Sequence, residues 1–198
     1  MNRIKGIIIL LFTTIFIFIL ASCSNGNYSY EKANDGEYYF VKSNLSIEQR
    51  TVITSKVVIP YTNHYSPVIG ISNYAFKDYI SVKEFVLPSR LERIGEGAFR
   101  NCRSVKEFDL PDTLKYIDIC AFAECTLLEK ISIPKGITYI GYQTFYGCNN
   151  LKSVVFNGNK NEWVNVFKYS LKDTIISCLD GDYYYLDDTY NSLVLVGE

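Results

Sequence analysis

A repeat of 23 residues constrains what this chain can fold into more than any other feature of its sequence. Phenylalanine recurs at this interval, at Phe76, Phe99, Phe122 and Phe145. Isoleucine does the same at Ile71, Ile94, Ile117 and Ile140, and cysteine at Cys102, Cys125 and Cys148. A fixed period is typical of solenoids, in which no unit buries its apolar side alone and each unit stacks on its neighbours.

Four complete units follow one another along the middle of the chain. They are Val68–Arg90, Leu91–Thr113, Leu114–Gly136 and Ile137–Asn159. Each contains an L-x-x-L-x-L pattern, typical of a strand whose apolar side chains face a core. Thr51–Ile59 looks like the strand of a partial unit before the first complete one. The sequence therefore predicts a β-rich, right-handed solenoid like that of leucine-rich repeats, with about four and a half 23-residue coils and β caps.

The repeat also resembles a known family. The string I-G-x-x-A-F-x-x-C-x-x-L-x-x-I-x-L-P, which begins at Ile94 in one unit, resembles the BspA-like leucine-rich-repeat surface proteins. The segment 157–182 resembles the one that often follows such repeats. The resemblance implies a leucine-rich-repeat fold and a role in binding or adhesion to proteins. One departure is that only Asn159, of the four positions that follow the repeat strands, carries the asparagine of the commoner leucine-rich class, so we expect no asparagine ladder.

The N-terminus carries the marks of an export signal. Arg3 and Lys5 precede the apolar run Ile7–Leu20, which is shorter than the roughly 20 residues of a membrane-spanning helix. The tetrad that ends at Cys23, Leu-Ala-Ser-Cys, resembles the lipobox of bacterial lipoproteins, in which the cysteine receives a diacylglycerol. The resemblance implies a lipoprotein signal peptide over residues 1–22 and an extracytoplasmic chain held to a membrane by lipid on Cys23, at the cell surface or outer membrane.

The remaining segments are expected to be a tether and two caps. Residues 23–36 are rich in Asn, Gly and Ser and are predicted to form a flexible tether. Residues 37–67 are predicted to be an N-terminal β cap with the partial repeat, residues 68–159 the repeats, and residues 160–198 a C-terminal cap. Within the second cap we expect a short helix over Glu162–Lys168, a hairpin turn at Asp180-Gly181, and Trp163 in the core.

The composition disfavours most kinds of chemistry. Lys and Arg number 20 against 21 Asp and Glu, so no basic field exists for nucleic acid. The chain has one histidine, His64, and none of the common catalytic or phosphate-binding motifs. We therefore predict no enzyme, no cofactor and no metal site. Cys102, Cys125 and Cys148 are expected to be free, buried thiols, whereas pairing of Cys120 with Cys125 or Cys178 stays open.

The outward positions of the repeat strands are the candidate binding surface, because side chains alternate along a strand. We call these twelve residues the strand face: Lys83, Glu84, Val86, Lys106, Glu107, Asp109, Glu129, Lys130, Ser132, Lys152, Ser153 and Val155. Lys106 is expected above Glu129, and Glu107 above Lys130, as opposite-charge pairs. The face has two interpretations, a solvated ladder of charges or a mixed-charge surface for a protein ligand. A second candidate surface is tyrosine-rich and comprises Tyr74, Tyr79, Tyr142 and Tyr146, with the alternative that most of these rings simply cover the core.

The function predicted from these observations is that of a lipid-anchored bacterial surface protein. Its partner would be a protein of a host or neighbouring cell, with a role in adhesion. Two alternatives stay open. One is an envelope scaffold or a protein that contacts carbohydrate. The other is an enzyme with its site in the C-terminal cap, which would require a deep polar pocket near Trp163, Asp180 and Asp182.

Overall fold

The described part of the chain is the repeat region and parts of both ends. The computed structural model describes residues 27–32, 39–63, 66–166, 175–185 and 193–195. The signal peptide, Cys23, His64 and residues 33–36 of the predicted tether lie outside these ranges. Within them, neither helix has the length or the apolar character that crossing a bilayer requires.

The elements are short strands with two brief helices. In chain order the strands are β1 (Tyr28–Lys32), β2 (Tyr39–Ser43), β3 (Lys56–Val58), β4 (Thr62–Asn63), β5 (Ser66–Ile71), β6 (Glu84–Val86), β7 (Arg93–Ile94), β8 (Glu107–Phe108), β9 (Tyr116–Ile117), β10 (Lys130–Ile133), β11 (Tyr139–Ile140), β12 (Ser153–Phe156), β13 (Ile175–Cys178), β14 (Gly181–Tyr185) and β15 (Leu193–Leu195). The helices are α1 (Ile47–Thr51) and α2 (Lys160–Val166).

Strands β3 and β6 form a small parallel sheet, and the other described strands form two large sheets, to each of which the last three full coils contribute one strand. One sheet has the order β1-β2-β5-β7-β9-β11, with β4 against β5, and the other has the order β15-β14-β13-β12-β10-β8. Lys130 pairs with Glu107 and Tyr139 with Tyr116, so parallel neighbours are one 23-residue repeat apart. The predicted β-rich repeat solenoid is confirmed.

The recurring phenylalanines form one column through the core. The ring centroids of Phe76 and Phe99 lie 5.7 Å apart, those of Phe99 and Phe122 lie 5.6 Å apart, and those of Phe122 and Phe145 lie 5.8 Å apart. The planes of these neighbours differ by 13°, 4° and 5°, so the rings stack nearly parallel. Phe108 packs at an angle against this column, with its ring centroid 4.9 Å from that of Phe99. Identical side chains thus cover one another from coil to coil, which builds a continuous apolar core.

Each turn after the first strand of a coil contains two residues with left-handed backbone. The first column is Tyr74, Gly97, Cys120 and Gln143, with φ between 54° and 56°, and the second is Asp78, Asn101, Glu124 and Gly147, with φ between 63° and 74°. A side chain costs about 1–2 kcal/mol in this conformation. Hydrogen bonds between coils hold the turn, since the N–H of Phe99 donates to the carbonyl of Ala121 at 2.8 Å and that of Phe76 to the carbonyl of Ala98 at 2.8 Å.

The structure differs from the sequence prediction near the N-terminus. Strand β1 lies within the predicted flexible tether, where it pairs antiparallel with β2, and the Tyr28 ring packs 6.3 Å from that of Phe76. The predicted strand Thr51–Ile59 is shortened to β3. Helix α1 ends at Thr51 and was not foreseen, although Ser46 and Gln49 form a capping box at its start. The packing of Tyr28 against Phe76 explains why β1 joins the sheet. The capping box explains why α1 forms.

The C-terminal segment first adds one more strand to the solenoid and then covers the end of the solenoid. Strand β13 pairs parallel with β12, so it occupies the place of a further repeat strand. Strand β14 then returns antiparallel through a two-residue turn at Leu179-Asp180, one residue before the predicted Asp180-Gly181, and Gly181 already pairs with Cys178. Trp163 of α2 is fully buried, and its ring centroid lies 5.3 Å from that of Phe156. The predicted cap segment therefore includes one more strand of the repeat sheet.

Candidate protein-binding face

The strand face points away from the core, as its residues were predicted to do. Its twelve side chains are exposed or half-buried, whereas the apolar residues that alternate with them, Phe85, Phe108, Ile131 and Val154, are buried. The register of β8, β10 and β12 places equivalent side chains on neighbouring strands. Backbone hydrogen bonds between coils fix the rows, so the face presents a rigid array of side chains about 4.8 Å apart.

Two opposite-charge pairs were expected on this face, and the structure contains one of them. The Nζ of Lys106 lies 2.9 Å from Oε1 of Glu129. This hydrogen bond raises the pKa of the Lys106 ammonium and lowers the pKa of the Glu129 carboxyl. Glu107 and Lys130 are direct register partners but form no ion pair, because side chains of this length reach solvent from neighbouring strands. A further pair joins Glu84 to Lys56 of β3 at 2.6 Å, one strand beyond the predicted rows.

Several charges on the strand face have no ion-pair partner among the described residues. Within the described residues, no ion pair involves Lys83, Glu107, Asp109, Lys130 or Lys152. Both signs of charge occur, and Val86 and Val155 lie among them half-buried. A fully self-neutralised ladder would leave a ligand little to gain from ionic contacts. The strand face instead offers unpaired charges of both signs on a fixed frame.

The second candidate surface is partly core. Tyr79 is buried, and its hydroxyl forms a hydrogen bond with Oγ of Ser43, so its inclusion in a binding surface was wrong. Burial raises the pKa of its phenol. Tyr142 and Tyr146 are exposed, as is Tyr74, whose hydroxyl donates to the Glu96 carboxylate of the next coil. The sequence carried a signal for this burial, because Tyr79 lies 23 residues before Cys102 and so occupies the column of Cys102, Cys125 and Cys148, for which burial was predicted.

Sequence reasoning missed an aromatic surface on the other sheet. Tyr116 and Tyr139 are side by side on β9 and β11, and both are exposed. The two tyrosines are 23 residues apart, so the sequence showed that they occupy equivalent positions. They were missed because the two-residue strands that carry them lie outside the L-x-x-L-x-L pattern, which was used to assign outward positions.

The cysteines of the described region are free thiols, and the three of the repeat column are buried as predicted. Their sulfhydryls donate to carbonyls of the preceding coil, Cys102 to Phe76 at 3.2 Å and Cys125 to Phe99 at 3.3 Å. Burial raises the pKa of both of these thiols far above its usual range. Neither pairing left open for Cys120 is formed. The column therefore serves packing and is poorly suited to nucleophilic chemistry.

The C-terminal cap uses its polar groups in local structure. The Asp180 carboxylate accepts a hydrogen bond from the Lys160 backbone at 2.9 Å, at the start of α2. Asn159 and Glu162 bond reciprocally there, and the backbone N–H of Asn159 lowers the pKa of the Glu162 carboxyl. Across the described ranges, no three His, Cys, Asp or Glu side chains are grouped so as to hold a metal ion.

One family pattern matches most of the repeat region. It is described as the BspA type leucine rich repeat region, and six copies of it match residues 67–178. The match thus runs through α2 to the end of β13, past the predicted boundary at residue 159. A search of curated proteins found no match.

Solved structures of leucine-rich repeat proteins are similar in fold. A leucine rich repeat protein of T. pallidum is 21% identical, with a TM-score of 0.53 over 68% of this chain and 71% of that chain. A leucine-rich repeat protein of Bacteroides ovatus is 27% identical, with a TM-score of 0.53 over 63% of this chain and 30% of the other. The pneumococcal vaccine antigen PcpA is 22% identical, with a TM-score of 0.52 over 79% of this chain and 36% of PcpA. The chain thus spans about a third of the length of the last two proteins.

Proposed function

Because this chain belongs to the BspA-type leucine-rich repeat family, we propose that it is a lipid-anchored bacterial surface protein that binds a protein partner through its strand face. The observation that carries the proposal is the set of charges of both signs, on or directly beside strands β8, β10 and β12, that form no ion pair with a described residue. Repeat solenoids supply extended binding surfaces of this kind.

The charge pattern favours a protein as the ligand. Lys130 and Lys152 present cations, and Glu107 and Asp109 present anions, on neighbouring strands. A polyanion such as nucleic acid would meet repulsion from half of these groups. A protein surface carries both signs and can match them in position, which steers association and fixes orientation.

The anchor is supported by the sequence alone. The basic residues Arg3 and Lys5, the apolar run Ile7–Leu20 and Cys23 follow one another in the order of a lipoprotein signal. Attachment of two or more acyl chains would hold the chain stably on a membrane. A binding face held outside the cell in this way would serve adhesion to a host or neighbouring cell.

We expect reversal of the unpaired lysines to weaken partner binding at least tenfold. The variant Lys130→Glu/Lys152→Glu places two new anions on the strand face, whereas Lys32→Glu/Lys42→Glu makes the same change of net charge on the other sheet. Binding of the full chain to immobilised collagen, laminin, fibronectin and purified bacterial surface proteins would be measured by interferometry at two salt concentrations. Equal losses in the two variants, or no binding to any of these proteins, would contradict the assignment of the strand face.

Substitution of Cys23 should abolish membrane anchoring. In bacteria fed an alkyne-tagged fatty acid, the wild-type chain is expected to carry the label and to enter the membrane fraction, since the acyl chains attach to this thiol. Cys23→Ala should lose the label and keep the mass of the unprocessed chain. The control is Cys178→Ala, which removes a half-buried free thiol and should leave labelling intact. Labelling of Cys23→Ala at the wild-type level would refute the anchor.

A further inference from the structure

A row of outward side chains crosses the sheet that does not carry the strand face. Register pairs link Phe40 to Gly70, Gly70 to Arg93, Arg93 to Tyr116, and Tyr116 to Tyr139. The row therefore runs across the five neighbouring strands β2, β5, β7, β9 and β11. We call the side chains of Phe40, Arg93, Tyr116 and Tyr139 the aromatic row.

Gly70 contributes no side chain to the row, and the ring of Phe40 covers its place. A Cβ at Gly70 would clash with Cδ1 and Cε1 of the Phe40 ring, so the ring lies against this glycine. The strand β5 is thus covered by the Phe40 side chain, which reaches over from β2. Between the Phe40 ring and Arg93 the surface is concave, since both side chains line one groove.

Arg93 joins the two aromatic parts of the row without leaving an unpaired charge. Its Nη2 and Nε lie 2.7 Å and 2.9 Å from Oδ2 of Asp118. The centre of its guanidinium lies 5.8 Å from the centroid of the Tyr116 ring, within the range of a cation–π contact. The planar guanidinium therefore continues the row with its charge already matched inside the chain.

Lys32 and Lys42, which line the groove at the Phe40 end of the row, form no ion pair with a described residue, whereas the coils that carry Arg93 and Tyr116 contain ion pairs. Lys115 lies 2.8 Å from Glu92, and Arg100 lies 2.6 Å from Glu124. This contrasts with the strand face, where charges of both signs lack ion-pair partners. At the tyrosine end of the row a ligand would gain little from its own charges and would bind through the exposed parts of the rings and their hydroxyl groups.

The rings themselves are accessible. Tyr116 is 41% exposed and Tyr139 is 42% exposed, and Ile119 and Tyr142 extend the surface on the same two coils. At the other end of the row a groove of about 670 Å³ opens between β2 and β7, lined by Phe40, Asn73, Tyr74 and Arg93 among others. The row thus leads from a concave, partly polar groove to two exposed tyrosines on neighbouring strands.

We propose that the aromatic row binds an uncharged, linear polysaccharide that lies across the strands. The apolar C–H face of a pyranose ring stacks on aromatic rings, and its hydroxyls match the phenol groups of Tyr116 and Tyr139. The rungs of the row repeat every strand, about 4.8 Å, which is close to the length of one pyranose unit along an extended glycan. An extended peptide fits less well, because its side chains on one face recur about every 6.8 Å.

The aromatic row and the proposed protein-binding face lie on different sheets, so an experiment can contradict one proposal and leave the other standing. Binding of cellohexaose, chitohexaose and maltohexaose to the full chain would be measured by calorimetry in a polyoxyethylene detergent, which carries no sugar headgroup. At least one hexasaccharide is expected to bind. Tyr116→Ala/Tyr139→Ala should weaken it at least tenfold, and Lys130→Glu/Lys152→Glu should leave it unchanged.

A control separates the row from exposed tyrosines in general. Tyr61→Ala removes an exposed phenol near the first coil, off the row, and should bind as the wild type does. The thermal midpoints of all variants are expected to stay near the wild-type value, because the substituted rings are exposed. Any of three results would overturn the proposal. None of the hexasaccharides binds, or the Tyr116→Ala/Tyr139→Ala variant binds as tightly as the wild type, or the wild-type chain self-associates and this variant does not. The last result would assign the row to contact between copies of this chain.

Discussion

Phe99→Ala is expected to lower the free energy of unfolding by about 3–5 kcal/mol. The ring is fully buried and lies between the parallel rings of Phe76 and Phe122. It also contacts Phe85 and Phe108 at centroid distances of 4.9 Å. Truncation would open a cavity in the middle of the column, and the backbone hydrogen bonds on either side would prevent the coils from collapsing into it.

The loss can be measured by guanidinium unfolding of the full chain. Far-UV circular dichroism follows the whole solenoid, whereas fluorescence of Trp163, the single tryptophan, reports the C-terminal end. Coincident transitions would show that the coils unfold as one unit. Tyr146→Ala is the control, because that ring is exposed and should cost no more than about 0.5 kcal/mol. A loss below about 1 kcal/mol for Phe99→Ala would mean that the column is not the core.

Gly141→Ala is expected to destabilise the chain by about 3 kcal/mol. A Cβ at Gly141 would fall on the backbone nitrogen of Ile119 and 2.6 Å from the carbonyl carbon of Asp118, both in the preceding coil. Asp118 itself occupies the equivalent position one coil earlier, so this point of a coil accepts a side chain. The obstacle at Gly141 is therefore the close approach of the neighbouring coil, which would have to move away and stretch the hydrogen bond from Gly141 to Ile117, now 2.8 Å.

The control for this substitution is Gly136→Ala. The nearest atom to an added Cβ there is the carbonyl oxygen of Asp112, at 3.4 Å, and the residue is exposed. We expect a change within about 0.5 kcal/mol at Gly136. Comparison of the two midpoints in thermal unfolding isolates the stacking contact from the general effect of replacing glycine. Equal midpoints would show that the coils can separate at Gly141 without cost.

The sequence predicted the position of the strand face but not the ion pairs within it. The strand face was predictable because strand alternation assigns inward and outward positions once the apolar pattern is read. The pairing within it was not, since Glu107 and Lys130 are register neighbours without an ion pair, whereas Lys106 and Glu129 bond. Long, solvated side chains choose among rotamers of nearly equal energy, and register alone does not decide that choice.

The 23-residue period by itself determined the architecture, because identical apolar residues at a fixed interval can all be buried only if the coils stack in register. Three features were decided by tertiary structure. The left-handed turns occur at residues as different as Tyr74 and Gln143, β1 joins a sheet from within a predicted tether, and Phe40 covers Gly70 to complete the aromatic row. Each depends on a contact between residues that do not occupy the same position of the 23-residue repeat. Such contacts form only when the chain folds, and the repeat pattern does not indicate them.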